Sequence, residues 1–375
     1  MWYNRLMKYN WQQKDWPDFK YDLSAVEDVI LAFAEKVGVV SGIIGTLPKD
    51  IQSEAIIDMM VSEAMKTSEI EGEYLSRKDV MSSIKKNMGI HPDLKEGSDK
   101  RAQGISELMV AVRNSYADPL TTETLFSWHK MVMKGRRYGE IGCWRTHEEP
   151  MQVVSGRMGK EIVHYEAPPS KIIPKEMKRF IKWFNETGPN GSIEIKRAMV
   201  RSAIVHIYFE TLHPFEDGNG RLGRALSEKA LSQGLGRPVL LSLSHAIENK
   251  KSDYYDALEQ AQKSNEITEW IKYFCNTVLM AQEQAEQQIT FTLKKVKFFD
   301  HFEKVLNDRQ IRVLGRMLEE GPHGFEGGMS AKKYMAITHT SKPTATRDMQ
   351  DLVEKGVFFP IGEGRSRRYE VNIDL

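Results

Sequence analysis

Cysteine is scarce in this sequence: Cys143 and Cys275 are the only two in 375 residues, far apart and outside any CxxC spacing. That excludes a disulfide framework and a thiolate metal cage, and a reducing, cytoplasmic setting is the expectation. Neither sign of charge predominates, with 53 basic against 52 acidic residues. No overall field therefore argues for wholesale binding to nucleic acid or membrane, and any electrostatic site has to be local. The opening MWYNRLMKYNWQQKDW lacks the apolar core of a signal peptide, and no run approaches the roughly 18 apolar residues of a spanning helix. We expect a soluble protein without a membrane partner. Internal repeats and low-complexity segments are missing too.

What is present is helical periodicity, in a chain that at 41% apolar composition can bury a sizeable core and at 375 residues is long enough for two or three domains. Apolar residues recur at three and four over 23–40 and 51–70, and Gly72 follows the second run as a stop. A polar stretch, 87–104, with Pro92 and Gly97, reads as a loop. Helical patterns resume over 105–113, 122–134, 175–185, 193–212, 222–233, 251–264 and 267–293. Met151 to Pro169 instead carries β-branched residues around a Gly-containing turn and a Pro-Pro stop, which predicts a β-hairpin. Beyond 307, a short helix (308–320), a helix-turn-helix pattern (330–355) and a hairpin with Gly362 and Gly364 at its tip outline a winged helix. The expected fold is mainly α, divided into an N-terminal helical segment (1–95), a central domain (96–295) and a winged-helix-like tail (296–375).

One bend concentrates the chemistry. His213 to Arg224 read HPFEDGNGRLGR and follow a helix whose stripe of Ile195, Ala198, Met199, Ser202, Val205, His206, Phe209 and Leu212 marks it as buried. On that stripe His206 reads as a hydrogen-bonded core histidine. Pro214 disfavours helical geometry at His213, so the imidazole should stand at the helix's C-terminal edge. Gly218 and Gly220 permit backbone conformations that turn successive amides to one side as an anion-binding nest. The next helix should start near Arg221, which places Arg221 and Arg224 on one face of its first turn. Cations at a positive helix end are misplaced by about 0.3–1 kcal/mol each. An anion of more than one phosphate group would match them. Asp217 would repel such an anion unless a divalent cation stood between them, and Mg²⁺ held by one carboxylate plus phosphate oxygens suits it. His213 is then the natural general base for a hydroxyl attacking a bound phosphate. Singly, a His before Pro is usually a turn residue and arginines at a helix start are often solvated; their convergence in twelve residues is the signal.

HPFEDGNGRLGR resembles, at every defined position, the HPFx(D/E)GNGRxxR signature of the Fic family of nucleotidyl transferases, and VRSAIVHIYFETL resembles the helix that precedes it there. The resemblance covers roughly 104–293 and implies a Fic-type helical core with a β-hairpin flap. It implies that His213 deprotonates a Tyr, Thr or Ser hydroxyl that attacks the α-phosphate of ATP, so that AMP is transferred and pyrophosphate leaves. By the same resemblance Asp217 would hold Mg²⁺, Asn219 and the amides of Gly218 and Gly220 the phosphates, Arg221 the outer phosphates and Arg224 the γ-phosphate. Phe215 would anchor the loop. A target segment would pair along the flap's edge through its main chain. KKSDYYDALEQAQ resembles the family's adenine pocket, with Tyr255 facing the base, and Gln262 stands where relatives commonly carry Asn. Relatives also transfer UMP, phosphate or phosphocholine, so ATP as donor is part of the same implication.

TSEIEG, Thr67 to Gly72, is the second unusual stretch. Counting back by threes and fours, Met60, Ala64 and Thr67 lead to Glu71, so a carboxylate extends an apolar face at a helix C-terminus, where negative charge is unfavourable. From the residues alone Glu71, like Glu69 and Glu73, reads as a solvated glutamate at a frayed end. The stretch resembles the (S/T)xxxE(G/N) inhibitory motif of one class of Fic proteins. That implies that Glu71 pairs with Arg224 and blocks the γ-phosphate's productive position, or, as in some relatives, supports removal of AMP from a modified target. WQQKDWPDF, Trp11 to Phe19, resembles a short domain ahead of other bacterial Fic proteins and is given no chemistry. In the tail, Thr344, Thr346, Arg347 and Gln350 would face outward from a recognition helix, with Arg365, Arg367 and Arg368 at the hairpin tip, while Asp348, Asp351 and Glu354 would repel a nucleic-acid backbone. DNA binding by the tail, with the core sensing nucleotide, is the rival to an AMP-transferring enzyme; homodimerisation is left open.

Overall fold

The computed structural model describes residues 8–374 apart from 91, 94–96, 137–138, 156–161 and 323. The chain forms two compact units, Met1–Gly38 with Ser53–Glu283, and Val39–Gln52 with Gln284–Leu375. The N-terminal helical segment and the central domain, separate in the sequence reading, thus belong largely to one unit. In chain order the helices are α1 (Glu27–Thr46), α2 (Lys49–Ile70), α3 (Arg77–Asn87), α4 (Lys100–Asn114), α5 (Thr122–Val132), α6 (Ile173–Glu186), α7 (Ala198–Leu212), α8 (Asn219–Leu235), α9 (Leu243–Glu248), α10 (Lys251–Ala261), α11 (Thr268–Phe302), α12 (Asp308–Leu318), α13 (Ala331–Thr338) and α14 (Lys342–Glu354). Two antiparallel hairpins complete the fold: β1 (Gln152–Ser155) with β2 (Ile162–Glu166), and β3 (Phe358–Ile361) with β4 (Arg368–Val371).

In the first unit α7 is buried on all sides from Met199 to Leu212, its polar members Arg201, His206 and Glu210 included. It packs against α6 and α8 through Phe180, Phe184, Tyr208, Phe209, Leu222 and Leu226. Truncating one of these buried aromatics to alanine costs about 3–5 kcal/mol. The helix starts at Ala198, later than its periodicity suggested. α8 starts at Asn219, two residues earlier than expected, because Gly218 takes the left-handed conformation (φ 82°) as its N-cap.

α3 escaped the sequence reading, since only Val80 and Ile84 give it an apolar stripe among charged residues; the Ser76 hydroxyl, accepting from the Asp79 amide, starts it. Among the described residues one stretch, Leu23–Thr46, is long and apolar enough to cross a membrane by length and composition. Its charged pair Glu35 and Lys36 interrupts the run, which is why counting uninterrupted apolar residues passed over it. The predicted hairpin of 151–169 forms as β1–β2, with a register shift between Val153 and Val154; its glycine-containing turn lies outside the described residues.

In the second unit α12, α13 and α14 are followed by the β3–β4 hairpin, and Met329 bridges to Tyr369 of β4 as a third strand position. Asn307 and Gln310 start α12 with a reciprocal capping box. Val313, Leu314, Met317, Tyr334, Met349 and Leu352 fill the core.

Candidate active site

α7 ends at His213, which adopts the left-handed conformation (φ 45°, ψ 59°) while its N–H still donates to the Phe209 carbonyl at 3.0 Å. A buried arginine fixes that ending: Arg145 Nε donates to the His213 carbonyl at 2.8 Å, and its backbone N–H to the Pro214 carbonyl at 3.0 Å. Phe215 is fully buried, with its ring stacked on His129 (centroids 4.0 Å apart) and tilted against Trp144. His129 is in turn defined by two hydrogen bonds. Its Nδ1 accepts from the Gly142 N–H at 2.9 Å, so Nε2 carries the proton donated to the Asp217 carbonyl at 3.1 Å. Burial pushes the His129 pKa down to about 4, consistent with that neutral tautomer. Neither His129 nor Arg145 was singled out from the sequence, and nothing local marks them.

At the start of α8, Gly218 has positive φ but Gly220 is helical, so only the first glycine serves the turn. The role of Gly220 is steric: a Cβ there would stand 2.4 Å from Glu71 Oε1. Asn219 turns its side chain to the loop, donating to the Phe215 carbonyl at 2.8 Å and accepting from its N–H at 3.0 Å. The Gly218 N–H, expected to face an anion, donates instead to Asp217 Oδ1 at 2.5 Å. Arg221 lies in the first turn, but Arg224 falls in the second because α8 starts early.

Each arginine meets a carboxylate. Arg224, 1% exposed, donates from Nε to Thr67 Oγ1 (2.7 Å), and from Nη2 to the Thr67 carbonyl (3.0 Å) and Glu71 Oε1 (2.8 Å). Burial alone would lower the Arg224 pKa, but the adjacent Glu71 outweighs it and the net shift is upward. Burial likewise disfavours the Glu71 carboxylate, yet Arg224 holds it below its ordinary value. Arg221 pairs with Glu73 at 3.0 Å and with Asp217 at 3.5 Å. Arg136, unremarked in the sequence, bridges Glu73 and Asp217. Glu69, by contrast, turns to Lys66 at 2.6 Å.

A cleft of about 540 Å³ opens beside these groups, lined by Val153 and Tyr165 of the hairpin, Tyr255 and Gln262 of the α10 end, and His213 and Arg224. Of the two tyrosines, Tyr254 is the packed one, its hydroxyl 2.8 Å from Nε2 of buried His206; Tyr255 stays 39% exposed and faces the cleft. Gln262 donates to the Glu210 carbonyl at 3.3 Å. Nδ1 of His213 is buried 3.8 Å from Glu210 Oε2, which leaves Nε2 for the cleft. Burial, reinforced by Arg145, pushes the His213 pKa down to about 4, so its imidazole is neutral at pH 7. Burial pushes Glu210 the other way, up to about 8. The N-terminal segment braces this side: Trp11 Nε1 donates to the Glu166 carbonyl at 2.9 Å and Asn10 Nδ2 to Thr211 Oγ1 at 3.2 Å.

Residues 119–231 match the sequence profile of the Fic/DOC family, and residues 9–90 that of a domain of unknown function, DUF4172. A probable protein adenylyltransferase of Aquifex aeolicus is 24% identical over 234 residues, 54% of this chain and 65% of its own length. The protein adenylyltransferase Fic of Nematostella vectensis is 23% identical over 221 residues, 58% of this chain and 46% of its own length. The chain thus spans less than two thirds of the curated relatives it matches. In fold it is similar to the crystal structure of a Fic family protein from Desulfovibrio desulfuricans G20, with a TM-score of 0.55 at 19% identity, over 95% of this chain and 98% of that one. With the motif loop, its buried supports and both kinds of relative in agreement, this chain carries a domain of the Fic/DOC family over residues 119–231.

Proposed function

We propose that this chain is a protein adenylyltransferase, moving AMP from ATP to a hydroxyl side chain of a target protein or of itself. One observation carries the reading: a neutral imidazole, Gly220 in the first turn of α8 and the guanidinium of Arg224, 1% exposed, line one cleft, with buried Arg221 beside them on the same helix. Phosphates would lie at the α8 amides and at Arg221 and Arg224, with the base between Tyr255 and the hairpin. The target oxygen bonds to the α-phosphorus, the bond from that phosphorus to the pyrophosphate oxygen breaks, and the hydroxyl proton passes to His213 Nε2. Among the described residues no group of three or more His, Cys, Asp or Glu could hold a metal alone. Asp217, with a side chain 44% exposed at the mouth of the phosphate site, fits Mg²⁺ shared with phosphate oxygens. Bound there, the ion would offset phosphate charge. Glu71, by holding Arg224, would restrain transfer; removal of AMP from a modified target is the other use open to that carboxylate.

Calorimetry of Glu71→Gly with ATP and Mg²⁺, followed by labelling with ATP, tests this. His213→Ala should lower labelling by at least about a hundredfold while keeping ATP affinity. Labelling that survives removes the base assignment, and absence of triphosphate binding removes the reading.

A second reading has its own support. In the second unit Asp348 is buried, paired with Arg309 at 2.7 Å and accepting from the Tyr334 hydroxyl, and Asp351 pairs with Lys355 and Gln310. The carboxylates that the sequence set against DNA are therefore largely matched, while Lys342, Thr346, Arg347 and Gln350 are exposed on α14. Read as a winged helix, this face suits the major groove of a duplex. Binding of a short duplex that weakens with salt and with Arg347→Ala would support it; binding insensitive to both would not.

A further inference from the structure

Glu73 follows Gly72, whose φ of 78° turns the chain out of α2, and its N–H closes the helix by donating to the Ser68 carbonyl at 2.9 Å. That six-residue closure is a Schellman turn, and it fixes the direction in which Glu73 leaves. The side chain is 13% exposed, with Oε2 3.0 Å from Arg221 Nη1 and Oε1 on the Arg136 guanidinium, whose other nitrogen sits on Asp217. Three guanidiniums, Arg136, Arg221 and Arg224, are thus matched by three carboxylates, Glu71, Glu73 and Asp217. Each of these three guanidiniums already has a protein anion, and Asp217, the carboxylate suited to Mg²⁺, already has a protein cation.

We propose that Glu73 is a second carboxylate governing nucleotide entry, competing with phosphate for Arg221 and, through Arg136, keeping Asp217 from a divalent cation. The inference rests on the proposed nucleotide site and goes beyond the role given there to Glu71. The two glutamates act on different arginines, three residues apart in α8, so deleting one leaves the other engaged. Glu71 releases Arg224. Glu73 releases Arg221 and lets Arg136 leave Asp217.

Calorimetric titration with ATP and Mg²⁺ of the full chain, as wild type, Glu71→Gly, Glu73→Gln and the double variant, decides the matter without recourse to activity. Glutamine keeps the size and hydrogen-bonding reach of Glu73, and equal melting temperatures confirm that the fold is kept. Glu73→Gln should tighten ATP binding about tenfold, both alone and on top of Glu71→Gly. Arg136→Gln should lower the magnesium concentration that half-saturates ATP binding. If Glu73→Gln leaves affinity unchanged or weakens it while Glu71→Gly binds ATP, Glu73 merely orients Arg221 and the inference fails alone. If no variant takes up ATP, the nucleotide site itself fails and takes this inference with it.

Discussion

Gly220 and Glu71 share one space: the Cβ that Gly220 lacks would stand 2.4 Å from the carboxylate oxygen that holds Arg224. The atom in the way is the far end of a flexible side chain, so Gly220→Ala should displace Glu71 without breaking the fold. Displacing Glu71 also breaks its pair with buried Arg224, so the melting temperature of Gly220→Ala should fall, by no more than that of Glu71→Gln. Glu71→Gln should destabilise the wild type more than it destabilises the Gly220→Ala background, a coupling of at least about 0.5 kcal/mol in a double-mutant cycle. Strict additivity would mean that the two residues do not compete.

The Glu71 carboxylate makes this contact pH-dependent. Its folded pKa lies below the ordinary 4.5, so the unfolded chain takes up the proton first as pH falls. Stability from the Glu71–Arg224 pair is complete above about pH 5.5 and is lost as pH drops through 4.5 toward the folded value. Urea unfolding at pH 7 should show Glu71→Gln less stable than wild type by about 1 kcal/mol, moderated because the Glu71 side chain is 29% exposed. The gap should narrow at pH 4. A gap that widens on acidification would reverse the assignment.

Glu210 titrates in the opposite sense. It is 4% exposed, Oε1 has no hydrogen-bond partner, and burial raises its pKa to about 8, so the folded chain holds a proton that the unfolded chain releases near 4.5. Its contribution to stability is complete below the unfolded value and is lost as pH rises through about 8. Wild-type stability should decline from pH 5 to 8 more steeply than that of Glu210→Gln, whose amide mimics the neutral acid. Parallel profiles in urea unfolding would show Glu210 to be ionised throughout.

These residues mark how far the sequence could be read. The twelve residues from His213 to Arg224 are local, and so is the helix-breaking logic of Pro214 and Gly218, hence their visibility. Glu71 stood out only through its motif. Glu73 could not, because a glutamate beyond a glycine stop reads as solvated until the turn at Ser68 returns it to α8. His129 and Arg145 support the loop from 88 and 68 residues away, and no local pattern encodes that. Asp348 was legible and was read by charge alone: it stands with Ala345, Met349 and Leu352 on the buried stripe of α14, spacing that places it inward.

The pH profile of transfer follows from the burial of His213. An exposed imidazole titrates near 6.5 and would cut activity across the neutral range, whereas burial and Arg145 bring this one to about 4. Deprotonated imidazole is the base, so the reactive form is present at all pH values well above 4 in the free enzyme. For Glu71→Gly, which frees Arg224 and removes a carboxylate that favours the imidazolium, kcat/KM for AMP transfer should be flat from pH 6 to 8 and fall only on the approach to pH 4 or below. Arg145→Met removes one of the charges that disfavour the imidazolium, so it should shift that acidic limb upward; Met keeps the length of the side chain but not its bond to the His213 carbonyl. An acidic limb near 6.5 in Glu71→Gly would place His213 in water, at odds with its burial.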